Sequence, residues 1–236
     1  EEGKEPFAAW LAEVAMQIKT LDPNHMVSVG SEGKHGCEQD IELFEKIHAD
    51  AHIDYMNIHL WPYNWGWVKE DSLLEMLPQT KINTKKYIDE HLVLARKYKK
   101  PVVMEEFGFP RDGFQFTKES STQARDEFYR YVFDLIRQER EQGGLFAGCN
   151  FWGWGGLAGQ SKTNIYWQPG DDYCGDPAQE QQGLNSVYAC DASTIEIIKN
   201  ASKAVEKALG PQAWYELDEN MGIFLGEGPH TLEVGV

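Results

Sequence analysis

Two adjacent carboxylates end a short apolar run in Pro101-Val102-Val103-Met104-Glu105-Glu106-Phe107-Gly108. A carboxylate brought to the end of a buried strand is costly to leave alone, so it is either paired or used. Its uses are nucleophilic attack or proton transfer; the plainer alternative is one surface carboxylate and one structural ion pair. A second group of candidates lies in Asp54-Tyr55-Met56-Asn57-Ile58-His59-Leu60. Alternation along a strand puts Tyr55, Asn57, His59 and Trp61 on one side, and Met56, Ile58 and Leu60 on the other. The first set suits a polar, aromatic cleft and the second suits packing under helices. Aromatics recur at Trp61-Pro62-Tyr63-Asn64-Trp65-Gly66-Trp67 and at Asn150-Phe151-Trp152-Gly153-Trp154, flat faces of the kind that neutral ligands stack on.

The elements that must hold these residues are legible in outline. Glu5-Pro6-Phe7 opens a helix, since proline suits the first helical position, with Phe7, Trp10, Leu11, Val14 and Ile18 on one face, and it stops near Asp22-Pro23-Asn24. Met26 to Gly30 reads as a buried strand and Gln39 to His48 as a helix with Ile41, Phe44 and Ile47 inward. Asp54 to Leu60 is the second strand, Thr84 to Tyr98 a helix, Val102 to Glu105 the third strand and Lys118 to Arg140 a helix. Phe146 to Phe151 is the fourth strand. After a long polar loop, a capping box of Ser193 and Glu196 starts a helix that runs to Leu209, where Gly210-Pro211 stops it.

Strand, loop and helix thus recur four times, the pattern of parallel strands covered by helices. Either an open doubly wound sheet or part of a (β/α)8 barrel fits. His59, Trp61, Glu106, Trp152 and Trp154 all fall at or just after the C-terminal end of an expected strand, and barrel enzymes build their sites on that face, which favours the barrel. Repeat units of about 30 to 46 residues make this chain about half of one. Four strands cannot close a barrel, so both edges expose unpaired backbone groups unless something covers them.

The motifs also resemble a known family. Val103-Met104-Glu105-Glu106-Phe107-Gly108 is similar to the nucleophile strand of glycoside hydrolase family 5, in which the catalytic Glu directly precedes an aromatic residue and glycine; that match selects Glu106 over Glu105. His59-Leu60-Trp61-Pro62 resembles the sixth strand, whose His lines the cleft and whose residue two further on orients the nucleophile. The family commonly has Tyr there; the indole of Trp61 donates one hydrogen bond but does not ionise. Asn150-Phe151-Trp152 resembles the eighth strand, with Trp152 as a platform under the sugar, and Met26 to Gly33 the fifth. Gly175 to Glu180 and Gln182 to Val187, together with Val27 to Gly33, look most like β-1,4-mannanases of bacterial type.

The resemblance implies the C-terminal half of a TIM barrel, strands 5 to 8 with their helices, over residues 1–210, with 211–236 an unassigned tail. It implies a retaining endo-β-1,4-mannanase with Glu106 as nucleophile, His59, Trp61, Trp152 and Trp154 as substrate-binding residues, and no cofactor or metal. The family's acid/base Glu, in an Asn-Glu-Pro motif ending the fourth strand, has no counterpart: Lys4-Glu5-Pro6 shares its letters but follows no apolar strand, and Glu5 reads as a helix-start residue favoured by the dipole. The expected partners are β-mannan or a related polysaccharide, and the missing first half of the barrel or a second copy over the open edges. The expected location is extracellular or periplasmic. The alternatives are a β-1,4-glucanase of the same family, a carbohydrate-binding protein that lost catalysis, and an unrelated open α/β domain.

Composition leaves neutral or cationic ligands open. Lys and Arg number 22 against 38 Asp and Glu, and the net charge of −16 repels a phosphate backbone or an anionic membrane, so nucleic-acid binding is not expected. No apolar run approaches the roughly 20 residues of a spanning helix. Cys37, Cys149, Cys174 and Cys190 include no C-x-x-C pair and read as scattered thiols, with a Cys174 to Cys190 disulfide open in an exported protein. Asp171, Asp172, Asp176 and Glu180 lack EF-hand spacing and read as a solvated acidic loop rather than a calcium site. The sequon Asn200-Ala201-Ser202 falls inside an expected helix and reads as chance.

Overall fold

The computed structural model describes residues 3–204. Three parallel strands, β1 (Met56–Leu60), β2 (Val102–Phe107) and β3 (Phe146–Phe151), form the main sheet in the order β1-β2-β3. Helix α1 (Lys4–Leu21) and helix α2 (Ile41–His48) precede β1, α3 (Leu73–Tyr98) links β1 to β2, and α4 (Gln123–Glu141) links β2 to β3. Sequence neighbours are spatial neighbours throughout, without the reversal of strand order that marks a doubly wound sheet. The arrangement is an α/β fragment consistent with an incomplete barrel. Beyond β3, the short strands β4 (Trp154–Gly156) and β5 (Val187–Tyr188) pair parallel as a separate ribbon, and residues 192–204 form a further helix, α5.

The core lies between the sheet and its helices. Met56, Ile58, Leu60, Val102, Met104, Phe107 and Phe146 point into it from the strands and are fully buried, against Phe44, Leu92, Ala95, Phe128 and Val132. Each large apolar side chain so buried contributes about 1.5–3 kcal/mol relative to exposure. Fixing this side of the sheet to the helices leaves the other side for the polar set.

The expected strand at Met26 to Gly30 does not form: these residues lie beside β1 but make no ladder. Side chains replace the strand pairing. The carboxylate of Asp54 accepts the Val27 N–H at 2.6 Å, and Asn57 Oδ1 accepts from Ser28 Oγ at 2.7 Å and from the Gly30 N–H at 3.1 Å. Asn57 Nδ2 donates to the Ser31 carbonyl at 2.6 Å. Gly30 and Gly33 both turn through positive φ (69° and 72°), which ends any extended run, and at Gly33 a Cβ would collide with the Tyr87 hydroxyl.

Several helices differ from expectation. On α1 the buried residues are Ala8 and Ala15; of the apolar face read from the sequence, Leu11 packs against the core and Val14 is half-buried, whereas Phe7, Trp10 and Ile18 stay exposed. Glu5 stands in the first turn of α1 and pairs with Lys46. Helix α3 begins at Leu73 and contains Pro78, which removes one intrahelical hydrogen bond without ending the helix. Helix α4 begins at Gln123, where Asp112 of the preceding loop accepts the N–H groups of Gln123 (2.8 Å) and Ala124 (2.9 Å), a cap supplied from 11 residues upstream. Helix α5 begins at 192, one residue before the expected Ser193 cap, and the Ser193 hydroxyl faces Thr122 instead. Its expected stop at Gly210-Pro211 and the tail lie outside the described residues.

Two buried histidines tie this framework to pH. His91 accepts the Lys34 N–H at Nε2 (3.0 Å), so its Nδ1 carries the proton and donates to the Tyr87 carbonyl at 2.7 Å. His48 contacts the Phe44 carbonyl and Asn57 Oδ1. Burial lowers both from 6.5 to about 4. A base with a depressed folded pKa adds stability that is complete above its unfolded value and is lost as the pH falls from 6.5 toward 4, at most about 3 kcal/mol for each residue. Urea unfolding should therefore show a falling free energy from pH 7 to pH 4.5, and a flat profile across that window would contradict the neutral burial of these rings.

Candidate active site

The strand that carries Glu105 and Glu106 is not regular. Ile58 of β1 stands opposite Met104 of β2, yet the next residue, His59, stands opposite Glu106, so Glu105 is an extra residue on β2. The β3 side records the same irregularity, with Met104 opposite Cys149 and Phe107 opposite Phe151. Such a bulge re-aims side chains. Strict alternation would send Glu105 and Glu106 to opposite faces. Val102, Met104 and Phe107 are instead buried toward the helices, while Val103, Glu105 and Glu106 are all partly exposed on the other side.

The two carboxylates then divide by partner. Glu105 Oε1 accepts the Tyr55 hydroxyl at 2.8 Å, and burial, reinforced by this contact and the carboxylate charge, pushes Tyr55 up to about 12. Glu106 Oε2 lies 3.1 Å from His59 Nδ1, an approach too bent for a hydrogen bond, which leaves the His59 nitrogen buried without one. Glu106 thus keeps its oxygens uncommitted beside a nearly buried imidazole, whereas Glu105 is tied to a phenol.

The aromatic walls follow from the strand ends. The Trp152 N–H donates to the Phe107 carbonyl at 2.7 Å and the Gly108 N–H reaches the Leu60 carbonyl at 3.4 Å, so the three strands remain laced together just past Glu106. The rings of Trp61 and Trp152 meet edge to face, centroids 6.2 Å apart at 78°. Glu106, His59, Trp61 and Trp152 are therefore brought together. Trp154 is not: it is 54% exposed on β4 and makes no ring contact with the other two among the described residues. Trp65 and Trp67 pack with Tyr87 and His35, the His35 ring lying flat on Trp65 at 3.7 Å, so they stabilise loops.

The loop between β4 and β5 corrects the acidic-loop expectation. Asp176 is fully buried, not solvated, and accepts from the Gly183 N–H (2.9 Å), the Asn185 N–H (3.0 Å) and Ser186 Oγ (2.6 Å); burial raises its pKa despite these donors. Asp171 closes a local turn with Asn164 and Gln168. Glu180, whose pKa is raised by burial and then by Asp176, reaches Asn64 of the β1 loop at 3.3 Å. Among the described residues no three acidic, His or Cys side chains gather as a metal would need, and no helix is long and apolar enough to cross a membrane. The four cysteines are free thiols. Behind the loop, the buried Arg111 and Arg125 share Asp191, and Arg125 also donates to the carbonyls of Phe109 (2.8 Å) and Ser186 (2.6 Å), locking the β2 loop to β5. Pattern reading had no signal for these buried polar ties, because each joins residues far apart in sequence.

A carboxylate beside a histidine, with two indoles crossed edge to face at the same C-terminal ends of parallel strands flanked by helices, fits the glycoside hydrolase class. Residues 1–209 match the profile of a family described as GH family 5 beta-mannosidase-like, and the chain belongs to that family. Mannan endo-1,4-beta-mannosidase 3 of Arabidopsis thaliana is 30% identical over 163 residues, 62% of this chain and 36% of that protein. The crystal structure of a glycoside hydrolase family 5 mannosidase from Rhizomucor miehei is 31% identical with a TM-score of 0.75, over 85% of this chain and 48% of that one. A variant of that enzyme, solved in complex with mannosyl-fructose, is 29% identical with a TM-score of 0.74, over 89% and 49% of the two chains. The chain thus spans about a third of the length of the curated relatives and about half that of the solved ones.

Proposed function

We propose that this chain is the nucleophile half of a retaining mannan endo-1,4-β-mannosidase, comprising the segments of strands 5 to 8 of a (β/α)8 barrel, the first of them held beside β1 by side-chain hydrogen bonds rather than a ladder. The observation that carries this is the bulge in β2, which turns Glu106 to the same side as Val103 and Glu105, beside His59, at the strand ends where Trp61 and Trp152 meet edge to face. In the first step a Glu106 oxygen bonds to the anomeric carbon as the glycosidic C–O bond breaks, and the departing oxygen takes a proton from a second carboxyl group. In the second step that group, now ionised, takes a proton from water, and the water oxygen displaces Glu106 to release the sugar. His59 borders the attacking carboxylate, and Trp152 and Trp61 wall the sugar.

The second carboxyl group stands across the scissile bond, ~5 to 5.5 Å from the first. Glu105 shares a strand and a face with Glu106 and so cannot occupy that place; the acid/base comes from outside these residues, from the other half of the barrel or another chain covering the open edges. The names of the relatives favour mannan over β-1,4-glucan, and the likeness of Val27 to Gly33 and Gly175 to Val187 to bacterial-type mannanases belongs to the same reading. A polymer too large to enter a cell puts the enzyme outside the membrane, extracellular or periplasmic. Proton NMR of mannan digestion by the complete enzyme should show β-configured reducing ends first, with a mixture of internal-cleavage products. Initial α-anomers would overturn the retaining mechanism, release of glucose oligomers alone would favour the glucanase, and binding without products would favour a carbohydrate-binding protein.

A further inference from the structure

We propose that Asn185 is a positioning residue, a wedge that holds the indoles of Trp61 and Trp152 perpendicular beside Glu106. The kinetic consequence rests on the proposed function; the geometry does not. Asn185 is 2% exposed and is fixed through its backbone on both sides. Its N–H donates to the buried carboxylate of Asp176 at 3.0 Å, and its carbonyl accepts the N–H of Gly153, the residue after Trp152, at 3.3 Å. The Gly153 carbonyl in turn accepts the Val187 N–H at 2.8 Å, so the turn carrying Trp152 is clamped to the segment that carries Asn185.

The side chain reaches the other wall. The point at which a Cβ on Gly108 would stand lies 2.7 Å from Asn185 Oδ1, 2.8 Å from its Cγ and 2.9 Å from a ring carbon of Trp61. The amide, the Trp61 ring edge and the end of the nucleophile strand therefore meet at one spot, which admits no side chain at Gly108. One residue thus shares the space over Gly108, two residues beyond Glu106, with the ring of Trp61, and is bonded through its backbone carbonyl to the turn that follows Trp152. The amide Nδ2 is buried with no hydrogen-bond partner. An unpaired buried donor is costly, so hydrogen bonding does not explain this side chain; its shape does, filling the gap that would let Trp61 swing.

Shape can be separated from polarity by comparing Asn185→Ala with Asn185→Leu, which restores the volume and the branch at Cγ but has no amide. In the complete enzyme, the far-ultraviolet exciton circular dichroism of the indole pair is identified as the band that Trp61→Phe abolishes. Asn185→Ala should lose at least about half of that band and about tenfold or more in kcat/KM on β-1,4-mannotriose, chiefly in kcat. Asn185→Leu should keep the band, stay within about threefold of the wild-type kcat/KM and melt no lower than the wild type. If the alanine variant does not fold, Asn185→Ser takes its place with the same expectation. An unchanged band and kcat/KM in the smaller variant, or a folded leucine variant as impaired as the alanine one, would overturn the proposal. A wild-type enzyme that shows the band but cleaves no β-mannoside refutes the proposed function, and the wedge is then decided by the band and the melting alone.

Discussion

Glutamine in place of Glu106 is expected to lower the kcat of the complete enzyme by at least about 10⁴-fold, with affinity for mannan oligosaccharides within about threefold of the original. The substitution keeps the shape of the side chain and leaves Trp61 and Trp152 where they are, so the sugar still meets its walls. It removes the negative charge, and the neutral amide oxygen that remains is too weak a nucleophile to displace the leaving group at the anomeric carbon, so no glycosyl-enzyme forms. Glu105→Gln is the matched control, because the neighbour shares the strand and the face but is held by the Tyr55 hydroxyl. The amide oxygen of that glutamine still accepts from Tyr55, and activity should stay within about tenfold. Steady-state kinetics on both variants, with oligosaccharide binding followed by tryptophan fluorescence, decide the matter: a dead Glu105→Gln beside an active Glu106→Gln would reverse the assignment.

Purified 236-residue chain is expected to release no reducing sugar from mannan above the level of its own Glu106→Gln variant. General acid and base catalysis typically contributes 10²–10⁴-fold. Without it the departing oxygen leaves as an unprotonated alkoxide and the attack by Glu106 stalls. The main sheet also ends in two edges, at β1 and β3, that nothing among the described residues closes into a barrel. Supplying a first barrel half that carries a strand-end glutamate should restore turnover. Sustained mannan cleavage by the chain alone would refute both the need for an external acid and the half-barrel assignment. The circular dichroism of the preparation must show helix content in keeping with α1 to α5, so that an inactive sample is a folded one.

Where pattern reading succeeded, local sequence carried the information. β3 was bounded at Phe146 to Phe151 as found, because an apolar stretch between a glycine pair and a tryptophan leaves little freedom. β2 was placed correctly and ended two residues early, since a pair of glutamates looks like a strand end unless the bulge is known. The segment from Met26 to Gly30 was apolar enough for a strand and failed as one, because Asn57 and Asp54 from the neighbouring chain segment bond the backbone groups a ladder would use. Trp65, Trp67 and Trp154 are weaker candidates for a sugar platform than Trp152, since their sequence positions allow them simply to pack loops. Only packing separates an indole laid under His35 from one set against Trp61.

By itself, the order of residues determined which side chains arrive at strand ends: a carboxylate before Phe107-Gly108, a histidine two residues before a tryptophan, and another tryptophan closing the last long strand. That much follows from local hydrophobic pattern and turn chemistry, which neighbours in sequence decide among themselves. The tertiary structure alone decided that Glu106 shares a side with Val103 and Glu105, that Asp176 is a buried hub and that Asn185 and the Trp61 ring crowd the space over Gly108. Each of these depends on pairing across strands or on hydrogen bonds between distant loops. A one-residue bulge reverses the direction of a side chain without leaving any mark in the apolar pattern that precedes it.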